Sequence, residues 1–341
     1  TYNKEMKKSK IMIALLIVAL IAGAAFNFLP SNKAEVSETE EIEKVQPVGP
    51  DFNADSAYIY LQEQCDFGPR TMNSTAHDKC EKWIIQKFEQ YGCKVTTQKA
   101  TLNGYDGTPL RSTNIMASYN PEATTRIMFC AHWDCRPWAD NDPDSTNWHK
   151  PIIAANDAAS GVGVMIELAR ILKGSGLELG VDFICFDAED YGTPQWFEGE
   201  DPGDTWALGA QYFANNLPEG YAPRYGILLD MVGGVGAKFY REGMSMQYAP
   251  AIVKKVWNAA RQVGYGSYFP KDDGGMITDD HIPVNQTANI PCIDVIPYYP
   301  DCAQSSFGPT WHTIADNMDN IDKNTLKAVG QTMVQVLFTE K

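Results

Sequence analysis

The stretch Val181-Asp182-Phe183-Ile184-Cys185-Phe186, followed at once by Asp187-Ala188-Glu189-Asp190, decides how this chain is read. A short apolar run of this kind reads as a buried strand. Three carboxylates within four residues then leave it. In open α/β sheets the strand exits are where ligands and chemistry collect. Two adjacent carboxylates there can divide the labour, one holding a cation while the other moves protons. An acidic pair after a strand is more commonly a solvated loop, so Glu189-Asp190 gains weight only from what accompanies it.

Working outward, further strand-like runs cover Lys94–Leu102, Ser112–Tyr119, Arg126–Ala131, Tyr225–Leu229 and Ile290–Ile296. Helical patterns cover Ser56–Cys65, Ala76–Gln90, Gly161–Leu172, Pro250–Val263 and Asn324–Leu337. The central runs are continuously apolar, as strands covered on both faces are. Their alternation with helices predicts an α/β three-layer sandwich, a mixed and mostly parallel sheet between helices. No repeat or second linker interrupts residues 51–341, so they read as one domain.

The 341 residues are 44% hydrophobic and 21% charged, a globular composition. Lys+Arg 28 against Asp+Glu 43 gives a net charge of -15. That balance argues against nucleic acid as a partner and against adhesion to anionic lipid. Lys4, Lys7, Lys8 and Lys10 precede an apolar run from Ile11 to Phe26, with Met6 reading as a natural start. Residues 1–30 therefore read as a signal peptide or signal anchor, with any membrane tether confined to residues 11–29. Residues 31–50 read as an acidic, disordered tether. The rest is expected outside the cytoplasm, periplasmic or extracellular, and monomeric. Of eight Cys, Cys130 and Cys185 fall in apolar runs and read as buried thiols. Cys65, Cys80, Cys93, Cys135, Cys292 and Cys302 are free to form disulfides in an exported protein.

Polar residues recur at the strand exits. His132-Trp133-Asp134 follows the run ending at Ala131, and Asp230 follows Leu229. Asn156-Asp157-Ala158-Ala159-Ser160-Gly161 precedes a helix, and Trp311-His312-Thr313 lies in a late loop. Each has a plainer reading, with Asp157 as a helix cap, His132 as a core histidine, Asp230 as a turn residue and His312 as a loop residue. Together they supply two imidazoles and several carboxylates, the N and O donors of a zinc hydrolase site.

His132-x-Asp134, Asn156–Gly161, Phe186–Asp190, Leu229-Asp230 and His312, in that order, resemble the zinc aminopeptidase superfamily of metallopeptidase family M28. Phe67-Gly68-Pro69-Arg70, Asp279-Asp280-His281-Ile282-Pro283, Ile290-Pro291, Ile296-Pro297, Trp311-His312-Thr313 and Asp316-Asn317 resemble glutaminyl-peptide cyclotransferases of the animal type and their bacterial relatives. The resemblance spans residues 52 to 338. It implies a zinc-exopeptidase-like fold and one Zn2+ held by Asp157, Asp190 and His312. It also implies Glu189 as general acid/base, with Asp230 and Asp279 as further catalytic carboxylates. Asp190 stands where the family often has Glu, and Asp294 where the animal enzymes carry His.

The implied reaction closes an N-terminal Gln of a peptide or protein onto its own amine, giving pyroglutamate and ammonia. Trp196 and Trp311, beside site motifs, are the expected walls for the Gln side chain. The main alternative is a two-zinc M28-type aminopeptidase, in which His132, Asp157, Asp190, Asp230 and His312 together furnish both sites, His132 and Asp230 serving the second metal, and Glu189 activates a bridging water. A tethered binding protein that keeps the fold without catalysis is a third reading, disfavoured because Glu189 and all the ligand positions are present.

Overall fold

A computed structural model of the chain describes residues 47–200 and 203–341. The expected signal segment 1–30 and the tether as far as residue 46 lie outside them. The described residues belong to one compact unit, and no helix among them is long and apolar enough to cross a membrane.

All six expected strands form: β1 (Lys94–Asn103), β2 (Pro109–Tyr119), β3 (Arg126–His132), β4 (Gly180–Phe186), β5 (Gly226–Leu229) and β6 (Cys292–Val295). They build one sheet in the order β1-β2-β4-β3-β5-β6. The β1–β2 and β2–β4 pairings are antiparallel, whereas β4–β3, β3–β5 and β5–β6 are parallel. Alternate side chains enter two different cores, as the two-residue strand period demands. Phe129, Ala131, Phe183 and Cys185 join the larger one, and Met128, Cys130, Ile184 and Phe186 the smaller.

The five expected helices also form: α1 (Ala54–Cys65), α2 (Thr75–Gln90), α3 (Ala159–Leu172), α6 (Pro250–Gln262) and α8 (Lys323–Thr339). Three short ones escaped the sequence pattern: α4 (Leu208–Asn215), α5 (Gly243–Tyr248) and α7 (His281–Gln286). At six to eight residues they span about two turns, too few to display a helical period. Residues of α1, α3, α6 and α8 pack into the larger core, while Ala210 and Phe213 of α4 and Val284 of α7 pack into the smaller.

The start of α3 is pressed against the sheet. A Cβ on Gly161 would lie 2.1 Å from the Leu229 carbonyl oxygen and 2.7 Å from the Ala131 Cβ. Only glycine allows that approach, and it brings Asp157, four residues earlier, to the exits of β3 and β5.

All eight cysteines are free thiols, so the six expected as disulfide candidates remain unpaired. Seven are buried, packed as small apolar side chains in the cores. Burial pushes the Cys80 thiol up to about 12, which keeps it protonated and unreactive.

Glu242 caps α5 from the interior. Its Oε1 accepts from the N–H groups of Met244 (2.7 Å) and Ile277 (2.9 Å), and its Oε2 from Ser245 N (2.6 Å) and Ser245 Oγ (2.7 Å). The His281 Nε2 lies 3.3 Å from Oε2. Burial opposes its charge, but the His281 ring and these donors outweigh it and hold the carboxyl at about 2 rather than 4.5. Between those two values the unfolded chain takes up a proton that the folded chain refuses. The stabilisation, roughly 2–3 kcal/mol, is therefore complete above about pH 4.5 and is lost as pH falls toward 2. Glu242→Gln is expected to be less stable than the parent at pH 7, with a gap that narrows steadily below pH 4.5. Urea unfolding across that range measures it, and a pH-independent gap would contradict the account.

Candidate functional site

The exits of the parallel strands converge on one cluster. β3 delivers His132, the turn after β4 delivers Glu189 and Asp190, β5 delivers Asp230, and the loop before α3 delivers Asp157. His312 arrives from the late loop. Asp157 is no helix cap, because Ala158 occupies that position and no side chain caps α3.

Buried carboxylates hold the turns that carry Asp190 and Asp157 by their backbones. Asp134 accepts from Glu189 N (3.0 Å) and Asp190 N (3.1 Å). Asp316 accepts from Asn156 N (2.8 Å) and Asp157 N (3.0 Å). Asp187 points away into the structure, where His77 Nε2 (2.8 Å) and Thr113 N (2.6 Å) reach it. His77 carried no signal in the sequence; its partner lies 110 residues away. Ala188, Met231 and His312 all adopt left-handed backbone, with φ of 54°, 53° and 53°. Such conformations cost of order 1–3 kcal/mol each and persist where surrounding contacts impose them.

Two sets of possible metal ligands share Asp157: His132–Asp157–Asp230 and Asp157–Asp190–His312. In the second, His312 Nε2 lies 3.1 Å from Asp190 Oδ1 and 3.7 Å from Asp157 Oδ2. Ligands about 2.0–2.2 Å from a tetrahedral zinc stand roughly 3.3–3.5 Å apart, so this set fits the ion. Both Asp190 oxygens are buried with no hydrogen-bond partner among the described residues, as oxygens awaiting a cation would be. In the first set, His132 Nε2 is only 2.8 Å from Asp157 Oδ1, the length of a direct hydrogen bond, and 3.4 Å from Asp230 Oδ1. Burial opposes charge on His132, but Asp134, Asp157 and Asp230 overcome it and raise its pKa well above the ordinary value.

A cavity of about 250 Å³ opens onto the second set. Asp157, Glu189, Asp190, Asp230, Asp279 and His312 supply its polar wall, and Trp206, Ile277, Ile296, Phe307 and Trp311 its apolar wall. It is smaller than the ~300–1,000 Å³ sites that enclose drug-sized ligands, and suits one side chain. Trp311 lines it as expected. Trp196 does not; it packs against Trp138, Trp148 and His149. Trp206 takes the place expected of Trp196, stacked parallel to the His312 ring at 6.0 Å.

Burial raises the Glu189 pKa well above the ordinary range; His132 pulls it down, and the charges of Asp190, Asp279 and Asp280 push it further up. Burial and Asp279 push Asp230 up to about 7. Behind Asp279 lies a third group, His281 and Asp294, both fully buried. Asp294, in the position noted as His in the animal enzymes, lies 4.0 Å from His281 Nδ1.

The family model of peptidase family M28 matches residues 114–337. Glutaminyl cyclase of Bacteroides thetaiotaomicron, solved with N-acetylhistamine bound, is 53% identical with a TM-score of 0.84, covering 86% of this chain and all of that one. Tannerella forsythia glutaminyl cyclase is 48% identical at a TM-score of 0.83, again over 86% of this chain and all of that one. Aminopeptidase YwaD of Bacillus subtilis is 26% identical over 265 residues, 75% of this chain; the match spans half the length of that aminopeptidase.

Zinc added to metal-free protein is expected to raise its melting temperature by several degrees, because a ligand bound only by the folded state stabilises it. Asp190→Ala is expected to lose most of that response. An unchanged melting curve of the parent protein on adding zinc would contradict the metal assignment.

Proposed function

The chain belongs to peptidase family M28, and from that membership we propose that it is a zinc-dependent glutaminyl-peptide cyclotransferase. It would convert the N-terminal Gln of peptides or proteins to pyroglutamate and release ammonia. The observation that carries this reading is the aromatic-walled cavity of about 250 Å³, lined by Glu189 and the Asp157–Asp190–His312 set. The solved cyclases with which the chain shares about half its residues support it.

Amine and amide belong to one substrate residue, so the site's main task is to fold the side chain back on its own N-terminus. Trp206, Trp311 and Phe307 would pack against the Gln methylenes and keep bulk water out, favouring the amine over water as nucleophile. A bound zinc would act as a Lewis acid toward the γ-carbonyl oxygen. Glu189 would take a proton from the attacking α-amine and hand it to the departing nitrogen. One C–N bond forms, one breaks, and the proton leaves with ammonia. A carboxyl raised by burial suits a group that must both accept and return that proton. Asp230 and Asp279, on the same wall, would hold the amine during the attack.

The two-zinc aminopeptidase reading rests on the His132–Asp157–Asp230 grouping. The 2.8 Å approach of His132 Nε2 to Asp157 Oδ1 is tighter than the spacing of two ligands around one tetrahedral zinc, and weighs against it. We therefore propose one zinc per chain. The basic flank and apolar run of residues 4–26 support export, with the catalytic region acting as a monomer outside the cytoplasm.

A Gln-initiated peptide incubated with the protein is expected to lose one ammonia by mass spectrometry. Glu189→Gln should lower kcat by about 10²–10⁴ while the zinc content stays the same. Hydrolysis of aminoacyl amides with the Gln peptide left intact would contradict the reading.

A further inference from the structure

Arg136 and Asp140 belong to none of the motifs that identify the site, yet both are buried to 1% exposure directly behind it. Their pairing is bidentate, with Arg136 Nε donating to Asp140 Oδ1 at 2.7 Å and Nη2 to Oδ2 at 2.6 Å. The remaining guanidinium nitrogen, Nη1, donates to the Asp190 carbonyl at 3.0 Å and lies 3.6 Å from the Asp190 carboxylate. On the other side, Asp140 Oδ1 stands 3.5 Å from His312 Nδ1. The pair therefore touches two of the three side chains read as zinc ligands, from behind.

We propose that Arg136 and Asp140 are positioning residues that set the direction of two zinc ligands at once. A carboxylate facing Nδ1 keeps the imidazole proton on that nitrogen, which leaves the Nε2 lone pair aimed at Asp157 and Asp190. Arg136 gives Asp140 the bidentate partner a buried carboxylate needs, and so holds it in place against the His312 ring. Its Nη1 fixes the turn that presents Asp190. Trp206 and Trp311 flank the His312 ring at 6.0 and 3.7 Å, and the Arg136 guanidinium lies 4.6 Å from the Trp206 ring. Gln195 N donates to Asp140 Oδ2 at 3.0 Å, so the loop leading to Trp206 is tied to the same carboxylate. Zinc affinity and the substrate wall thus share one buried ion pair.

The inference rests on the zinc reading of Asp157, Asp190 and His312, and is independent of the substrate. Zinc affinity, by competition with a chromophoric chelator, separates positioning from mere support. Asp140→Asn is expected to weaken zinc about 10–100-fold and to alter the visible absorption of the cobalt-substituted protein. Arg136→Lys keeps a charge but not the bidentate geometry, and is expected to weaken zinc severalfold; it carries the test if Asp140→Asn fails to fold. Asp142→Asn is the comparison. Asp142 is buried on the same loop and accepts from Ile314 N at 3.0 Å and Asn147 Nδ2 at 3.0 Å, reaching the His312 loop without facing the ring. It is expected to lower the melting temperature while leaving zinc affinity nearly unchanged. Parent-like zinc affinity in both Asp140→Asn and Arg136→Lys, or an equal loss in Asp142→Asn, would overturn the proposal. If the variants rank as expected but a Gln peptide is untouched, the cyclase reading falls and this one stands.

Discussion

The Asp157 carboxylate stands between two imidazoles, His132 at 2.8 Å and His312 at 3.7 Å, and the rest of the site is arranged around how that charge is balanced. On one side His132 Nε2 lies at hydrogen-bond length, beside carboxylates that raise its pKa. On the other the spacing is too long for a hydrogen bond and right for two ligands of one metal ion. A single carboxylate is thus shared by the two groupings, and the one-zinc proposal reads the His132 half as closed and the His312 half as open. The open half faces the cavity.

That arrangement needs several backbones held against their own preferences. Asp134 and Asp316 each accept two consecutive N–H groups, and so fix the turns bearing Asp190 and Asp157. The left-handed backbones at Ala188, Met231 and His312 are the counterpart of those clamps. The parallel strands make this possible by ending together, since β4, β3, β5 and β6 all point their C-terminal ends at the same crevice. The bare contact of Gly161 with β5 closes the distance from the other layer.

The strands and long helices were legible because each is long enough to show its apolar pattern between breakers. The short helices α4, α5 and α7 were not, and α5 depends on Glu242, whose donors include the distant Ile277 N–H. Among site residues, those directly at strand exits could be read from position alone. Asp140 and Arg136 could not, because their importance lies in contacts with Asp190 and His312, 50 and more residues away. The four-residue spacing of Arg136 and Asp140 was the available signal. Trp196 and Trp206 show the limit differently: both lie in the loop after Asp190, and nothing in the sequence tells which of the two rings turns inward. The cysteines differ from expectation because export would permit disulfides, whereas the apolar cores take up seven of the eight thiols.

The division of Asp157 between a closed and an open half is tested most directly by diffraction from crystals of the zinc-loaded protein at the zinc absorption edge. One anomalous peak is expected, about 2.0–2.2 Å from ligand atoms of Asp157, Asp190 and His312. A peak between His132, Asp157 and Asp230, alone or as a second of equal height, would contradict the account.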